Sequence, residues 1–212
     1  MGCPVPPRSA GLQQNAAALH TAPAIMSPEG AALATYIREQ LNGECHAKLD
    51  LCARLPCDGD AERSVVALQD IKAGEILIRV PVAGCLRGRG DAVATELAAR
   101  LHKSDPYVAT LPTNPPGLET WTPAERALLR GTRLEHALKG ESDRAALLVR
   151  TRCVRVSEDE VAMVPGIDAL NDASGRAVSS TTLKIGACFE MVAERSISQG
   201  EEVTHAYDDV ID

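Results

Sequence analysis

The stretch that decides the fold is residues 164–209, which begins VPGIDALNDAS at 164–174 and ends FEMVAERSISQGEEVTHAYDD at 189–209. It opens with a Pro-x-x-Asp-x-x-Asn-Asp turn, from Pro165 to Asp172. A strand-like run follows, then a Gly-Glu-Glu turn at 200–202, and Tyr207 ends a short strand near the C-terminus. Short apolar runs separated by turn residues are typical of small β-sheets. This part of the chain therefore predicts short strands joined by tight turns.

The size and composition of the chain predict a single globular domain. At 212 residues it is long enough to bury a substantial core. Hydrophobic residues make up 45% and charged residues 24%, which is ordinary for a soluble protein. No apolar run reaches the roughly 18 residues that a membrane-spanning helix needs, so we expect no membrane insertion. Residues 1–26 are rich in Ala, Pro and Gln and contain no acid, which predicts a disordered leader before a domain at 27–212.

The net charge restricts the class of partner. A formal charge of −7 argues against a protein that binds the nucleic-acid backbone, because such proteins carry basic surfaces. An acidic surface would suit a protein substrate with a basic segment, and it also serves solubility in proteins that bind nothing basic. Nothing in the sequence indicates an oligomeric state.

The cysteines indicate free thiols and no metal site. There are seven, at positions 3, 45, 52, 57, 85, 153 and 188, and no Cys-x-x-Cys pair occurs. Cys45, His46, Cys52 and Cys57 are close in sequence, but their spacing fits no common zinc pattern. We therefore expect partly buried thiols in a reducing intracellular compartment, with cytoplasm, nucleus and plastid not distinguished.

Helix signals occur at three places. Ser27 is a predicted N-cap with Pro28 at the first helical position, and Asn42-Gly43 is the predicted end of that helix. Apolar residues at helical spacing predict a second helix over 91–102. Thr122 is a predicted cap before Pro123, and a helix is expected to continue through Leu128, Leu129 and Leu134.

A short pattern occurs twice in the β-rich parts of the chain. Residues 64–68 and 76–80 are predicted to be two strands of a hairpin, with Gly74 supplying the positive φ of its turn. The pattern Ala-x-x-Asp-Ile-x-x-Gly-Glu at 67–75 is echoed by Ala-x-x-Ser-Ile-x-x-Gly-Glu at 193–201. Either copy alone is weak, since any hairpin could contain it; two copies at the two ends of one domain are more informative.

These residues together resemble the SET domain. Pro165, Asp168, Leu170 and Asn171, followed by Gly200-Glu201-Glu202-Val203 and Tyr207, look like its second half, and the two echoing segments stand at about the expected positions. The most similar type is the plant Rubisco large-subunit lysine methyltransferase, whose order of Tyr, Leu-Pro, Trp and Gly-Thr is matched over 107–132. The resemblance implies a mainly β fold with α additions (α+β) in a β-clip-like arrangement. Its expected parts are an N-terminal helix (27–43), an N-terminal half (44–90), a shortened helical insert (91–163) and a C-terminal half (164–212).

The resemblance also implies S-adenosylmethionine as cofactor and assigns site residues. Tyr207 matches the tyrosine that positions the amine, and with Val154 it would form the substrate pocket. The residues expected to bind the cofactor are Arg152, Leu170, Asn171, Asp172 and the loop Glu62-Arg63-Ser64-Val65. His205 is expected to point outward from its strand, and Asp168 to pin the turn before Asn171.

Three functions remain open from the sequence. The first is a protein-lysine N-methyltransferase dependent on S-adenosylmethionine. The second is a degenerate SET-like module that binds protein without transferring methyl, favoured by Ser64 at a usual glycine, Asp172 at a usual histidine and Val154 at a usual phenylalanine. The third is a chain whose channel is completed by a partner chain.

Overall fold

The computed structural model describes residues 25–55, 62–103, 105–113, 115, 122–131, 144–173 and 179–207. Almost all of the predicted leader, and Leu134, lie outside the described residues. The helices are α1 (Pro28–Glu39), α2 (Gly90–Leu101), α3 (Pro106–Thr110), α4 (Pro123–Ala127) and α5 (Arg144–Arg152), with 3₁₀ turns at Val82–Gly84 and Ile167–Ala169. None of the described helices is long and apolar enough to cross a membrane.

Short strands make up most of the regular structure. They are β1 (Glu44–Cys45), β2 (Leu49–Leu55), β3 (Glu62–Ala67), β4 (Ile76–Pro81), β5 (Leu86–Gly88), β6 (Val154–Arg155), β7 (Val161–Met163), β8 (Asn171–Asp172), β9 (Thr181–Ile185), β10 (Cys188–Ala193) and β11 (Thr204–His205). In the described part of the chain they form a six-stranded sheet in the order β1-β4-β10-β9-β11-β8, a pair β2-β3, and a three-stranded sheet β5-β7-β6. The expected mainly β fold with helical additions is confirmed.

The first helix begins as predicted but ends earlier. The Ser27 hydroxyl accepts a hydrogen bond from the Gly30 amide at 3.1 Å, and it donates to Asp50 on β2 at 2.7 Å, which fixes the helix to the strand pair. The helix ends at Glu39 rather than at residue 43. Asn42 turns the chain with a φ of 53°, and the Gly43 amide donates to the Ile37 carbonyl oxygen at 2.9 Å. The residues predicted as its end therefore form its C-terminal turn.

The other two predicted helices are confirmed, one of them shortened. Helix α2 spans Gly90–Leu101. Helix α4 begins with a capping box, in which Thr122 and Glu125 each bond the backbone of the other. It ends at Ala127, and the predicted continuation Leu128 is 79% exposed. A leucine without a packing partner does little to extend a helix, because most helical stability in proteins comes from tertiary packing.

The predicted hairpin of residues 64–68 and 76–80 is wrong in its pairing. Both segments are strands, but β3 pairs with β2, whereas β4 pairs with β1 and β10 in a different sheet. The turn between them bonds instead to the second copy of the repeated pattern. Local turn chemistry indicates where a chain reverses, but not which distant segment it will pair with.

The two copies of the pattern, residues 67–75 and 193–201, form a reciprocal backbone pair. The amide of Ile71 donates to the carbonyl oxygen of Ile197 at 2.9 Å, and the amide of Ile197 donates to the carbonyl oxygen of Ile71 at 3.0 Å. In the same way, the Gly74 amide donates to the Ala193 carbonyl oxygen at 2.8 Å, and the Gly200 amide donates to the Ala67 carbonyl oxygen at 2.7 Å. Each copy therefore satisfies the polar backbone groups of the other around a local two-fold axis, as buried backbone requires.

The paired repeat contributes Ile71 and Ile197 to the hydrophobic core. Ile71 and Ile197 are each 1% exposed and pack among the strands of the large sheet. Phe189 and Tyr107 are its largest buried aromatic residues. The remaining core is mainly aliphatic, with contributions from α1, β2, β4 and the 3₁₀ turn at Ile167–Ala169, and it also includes methionine and cysteine side chains. A chain with few aromatic residues thus fills its interior mainly with Leu, Ile and Val.

The turn glycines of the paired repeat should be difficult to replace. Gly74 and Gly200 have φ values of 85° and 82°, a region that L-residues occupy at a cost of about 1–2 kcal/mol. An added Cβ meets nothing within 4 Å at either position, so strain in φ is the main penalty. We expect Gly74→Ala and Gly200→Ala each to lower the free energy of unfolding by about 1 kcal/mol in urea titrations, after the entropic gain of alanine. Gly186→Ala is the control, since Gly186 has equal space but no positive φ. Equal effects at all three positions would contradict this account.

Candidate active site

Tyr207 follows β11, and its hydroxyl is fixed to the backbone just before Asn171. The hydroxyl donates to the Leu170 carbonyl oxygen at 2.7 Å, while the backbone amide of Tyr207 donates to Asp172 Oδ1 at 3.1 Å. The residue is 48% exposed. Loss of solvation raises the pKa of Tyr207 above its ordinary value, against the opposing effect of Arg152. The hydroxyl therefore stays protonated near neutral pH, with its oxygen lone pairs left to accept.

Asn171 joins the two halves of the domain. Its Nδ2 lies 3.2 Å from the Arg63 carbonyl oxygen, 3.1 Å from Ser64 Oγ and 2.9 Å from Glu202 Oε1. Ser64 Oγ also donates to Glu202 Oε1 at 2.7 Å. Ser64 is 2% exposed, and Asn171 and Glu202 are partly buried, so these polar atoms supply hydrogen-bond partners to one another as solvent is lost. The Asn171 amide group thus uses its hydrogen-bond donors within the protein, where they hold the two halves together.

Asp168 is a buried acid at the base of the site. Tyr107 donates its hydroxyl to Asp168 Oδ2 at 3.1 Å, and the Gly166 amide donates to Oδ1 at 3.0 Å. The second bond confirms the predicted pinning of this turn. Burial raises the pKa of Asp168, whereas the nearby guanidinium groups of Arg63 and Arg152 and the bond from Tyr107 oppose that rise.

Two arginines, Arg63 and Arg152, lie near Asp168 and have hydrogen-bond donors that it does not use. Arg63 donates through Nη1 to the Thr110 carbonyl oxygen, and Arg152 donates through Nη1 to the Asp168 carbonyl oxygen at 2.8 Å. Arg63 Nε and Nη2, and Arg152 Nε, are buried without a hydrogen-bond partner in the part of the chain that the structure describes. Burial, and then the charge of Arg63, lower the pKa of Arg152. The cluster of Arg63, Arg152 and Asp168 carries a net positive charge and unused donors, which is an environment for an anion.

A cavity of about 530 Å³ opens beside Tyr207. Its lining includes four of the predicted site residues: Arg152, Val154, Leu170 and Tyr207. The substrate-pocket pair Val154 and Tyr207 is therefore brought together on one cavity. Leu183 and Ile185 of β9 add aliphatic wall. The cavity thus has the volume and the aliphatic wall to hold an apolar side-chain stem beside Tyr207.

Four more of the predicted cofactor residues, Arg63, Ser64, Asn171 and Asp172, are not among the described residues that line this cavity. Asp172 accepts a hydrogen bond from the Tyr207 amide. The Asn171 side chain donates to the Arg63 carbonyl oxygen and to the Ser64 hydroxyl oxygen. Glu62 is in β3, and its side chain lies outside the described part of the structure. The roles of all these residues in binding a cofactor stay predictions.

Two expectations about the site are wrong. The predicted loop Glu62-Arg63-Ser64-Val65 is the start of strand β3, because residues 62–64 pair with β2 from Ala53 to Leu55. His205 does not point outward: it is 7% exposed and lines the cavity. A two-residue strand inside a six-stranded sheet has both faces available for burial, so alternation along the sequence gave no reliable orientation.

Sequence reasoning missed two residues of the site. Tyr107 supplies the hydroxyl that bonds Asp168, from a helix 61 residues away in sequence. Glu202 accepts the bonds of Asn171 and Ser64. Glu202 belonged to a recognised Gly-Glu-Glu turn, but the pattern did not indicate which of the two acids points inward.

Among the described cysteines, Cys45 and Cys52 are buried, whereas Cys85, Cys153 and Cys188 are partly exposed, and all five are free thiols. Burial raises the pKa of Cys45 and of Cys52 to about 11, and that of Cys85 to about 12. Cys153 lines the cavity, and burial raises its pKa as well. Across the residues that the structure describes, no three His, Cys, Asp or Glu side chains are grouped closely enough to hold a metal ion.

Comparison with known proteins identifies the family. The sequence model of the SET domain matches residues 62–208. The chain belongs to the SET domain family. This match covers both copies of the repeated pattern, the Asn171 turn and Tyr207. A search of curated proteins finds no match to this chain.

Solved SET domain structures have the same fold. One is the SET domain of LSMT bound to lysine and AdoHcy, with a TM-score of 0.59, 17% sequence identity and coverage of 86% of this chain and 54% of that one. Another is Rubisco LSMT bound to sinefungin and monomethyllysine, with a TM-score of 0.61, 16% identity and coverage of 87% and 54%. The chain thus spans about half the length of these proteins. The resemblance to the LSMT type of SET domain is confirmed at the level of fold.

Removing the Tyr107 hydroxyl should destabilise the protein most where Asp168 is ionised. A hydrogen bond to a charged group contributes about 1.5–3 kcal/mol. In Tyr107→Phe the raised pKa of Asp168 would rise further, because the lost bond favours the ionised form. We therefore expect the loss of unfolding free energy to be larger at pH 7 than at pH 4, in urea titrations at both values. The same loss at both pH values would contradict the assigned bond.

Proposed function

We propose that this SET domain is a protein-lysine N-methyltransferase that uses S-adenosylmethionine. The observation that carries the proposal is the Tyr207 hydroxyl, held at 2.7 Å on the Leu170 carbonyl oxygen beside a cavity of about 530 Å³ that Tyr207 and Leu170 both line. Structural neighbours with the same fold are described as bound to AdoMet, AdoHcy or lysine. The activity is proposed for this chain on the strength of its own residues.

The arginine cluster fits one end of the proposed cofactor. S-adenosylmethionine carries a carboxylate on its methionine portion, and it supplies an activated methyl group. Arg63 and Arg152 have three buried nitrogen atoms without acceptors among the described residues, in a cluster whose net charge is positive. A carboxylate would satisfy these donors, and planar guanidinium groups suit that two-pronged bond. The residues present are therefore compatible with this cofactor.

Tyr207 and Leu170 would align the accepting amine. The protonated Tyr207 hydroxyl donates its hydrogen to the Leu170 carbonyl oxygen. The lone pairs of the hydroxyl oxygen can therefore accept a hydrogen bond from a ligand in the cavity. Both oxygens can orient an amine and accept weak C–H hydrogen bonds from a polarised methyl group. Alignment of this kind supplies much of the rate in displacement reactions.

The electrostatics of the cavity favour an uncharged amine. Arg152 lines the cavity, and its own pKa is lowered by burial and by Arg63. A second cation entering beside these groups is disfavoured, so a bound lysine would lose its proton more readily than in water. Methyl transfer needs the neutral amine, whose lone pair makes the new bond.

A binding module without catalysis is the second candidate. Its supporting observation is that Asn171 gives its side chain to Ser64, Arg63 and Glu202, while Ser64 lies within a buried strand. The wall of the cavity also contains Val154 and other aliphatic side chains at places where aromatic rings would bind an alkylammonium group by cation–π contacts. This candidate predicts peptide binding without methyl transfer, which the next experiment distinguishes.

Tyr207→Phe should separate cofactor binding from transfer. Loss of one positioned polar group in a reacting centre lowers the rate by about 10²–10³-fold. We expect the affinity for S-adenosylhomocysteine, measured by calorimetry, to change by less than about threefold, while labelled methyl transfer to a protein extract falls by at least about 100-fold. Transfer at the wild-type rate in the variant, or no binding by the wild type at millimolar S-adenosylhomocysteine, would contradict the proposal.

Arg63→Met should weaken only ligands that carry the carboxylate. We expect the affinity for S-adenosylhomocysteine to fall about tenfold or more, since bonds between charged groups are the strong ones. The affinity for 5′-methylthioadenosine, which lacks the amino-acid portion, should change by less than about twofold. Arg38→Met, on the exposed face of α1, is the control. An equal loss for both ligands would show that Arg63 does not contact the carboxylate.

A further inference from the structure

The cavity beside Tyr207 has the opposite charge to the chain as a whole. Arg150, Arg152 and Arg155 line it, although the formal net charge of the protein is −7. Among the described lining residues Asp168 is the one acid, and its carboxylate is buried and already bonded to Tyr107 and Gly166. The surface that an incoming peptide would meet here is therefore positively charged.

The arginines lie at different depths. Arg152 is half-buried, with Nη1 on the Asp168 carbonyl oxygen. Arg150 at the end of α5 and Arg155 on β6 are exposed, so their charges are at the mouth of the cavity. Val154 and Leu183 contribute aliphatic surface to the wall of the same cavity. A lysine stem can thus enter past two exposed guanidinium groups.

The charge of Arg155 is not neutralised by the turn that follows it. Glu160 in the β6–β7 connection pairs instead with Arg87 at 2.6 Å. Glu158 and Asp159 are exposed in the same turn, and no ion pair joins Arg155 to them or to another carboxylate in the described ranges. The guanidinium of Arg155 is therefore available to a partner from outside.

We propose that the cavity selects a lysine whose neighbours in the substrate are Asp or Glu. This inference rests on the proposed function and names the class of its substrate. Acidic neighbours would meet the exposed charge of Arg155 at the mouth, whereas basic neighbours would be repelled there. Charge complementarity of this kind mainly gives specificity and faster association. The net charge had suggested a basic partner segment, but the charge at the cavity itself argues for an acidic one.

Matched peptides test this selection directly. Three fluorescent peptides share one central lysine and differ only in the flanking positions, which are Asp, Ala or Arg. Binding is measured by anisotropy and methyl transfer by mass spectrometry. For exposed pairs we expect each flanking acid to improve binding about two- to fivefold over alanine. The preference should shrink in 0.5 M salt, where the screening length falls to about 4 Å.

Charge reversal at the mouth gives the sharper comparison. Arg155→Glu should abolish or reverse the preference between Asp and Arg peptides. Lys103→Glu changes the net charge equally but lies in a separate groove beside α1, so the preference should be unchanged. Equal effects of the two variants would show that overall charge, not the cavity, sets the preference, and would overturn the inference.

The outcomes separate this inference from the proposed function. Preference for acidic flanks that depends on Arg155, without methyl transfer, supports the inference and contradicts the enzyme. Methyl transfer with no flank preference supports the enzyme and overturns the inference. Absence of both binding and transfer for every peptide overturns both.

Discussion

The reciprocal backbone pairing of residues 67–75 with 193–201 determines where the side chains of the site lie. Two segments more than a hundred residues apart exchange the same hydrogen bonds in both directions, and the turn of each copy depends on a glycine with positive φ. The strands that flank this pair are then held in register, since the Val203 amide donates to the Val65 carbonyl oxygen at 2.8 Å. That register brings Glu202 beside Ser64 and lets Asn171 bond both, immediately after the Leu170 carbonyl that holds the Tyr207 hydroxyl.

The second constraint is electrostatic, and it concerns the burial of Asp168 between two arginines. A buried acid is tolerated only where hydrogen bonds and opposite charges compensate its lost solvation. Tyr107 and Gly166 supply the bonds, and Arg63 and Arg152 supply the charge. Because two cations face one acid, the cluster keeps an excess of positive charge and unused donors. The same residues that stabilise the fold thus prepare an environment for an anionic group.

The sequence predicted those features that depend on local chemistry. Caps at Ser27 and Thr122, the turn at Gly74 and the strands around Leu77 follow from short-range preferences, and the family resemblance located Tyr207 and Asn171. Features that depend on long-range pairing were not predictable in this way. The pattern at 67–75 indicated a hairpin because nothing local reveals a partner at 193–201. His205 was placed outward for a similar reason, and Tyr107 became a site residue only through its distant contact with Asp168.

The central claim is that the paired repeat assembles one site for S-adenosylmethionine from both halves of the domain. An NMR titration of the labelled protein with S-adenosylhomocysteine tests it most directly. The account predicts saturable shifts in the backbone amides of 62–64, 152–154, 168–172 and 207, from both halves at one dissociation constant. The amides on the exposed face of α1 should not move. Shifts confined to one half, shifts centred on α1, or no shifts at millimolar ligand would contradict it.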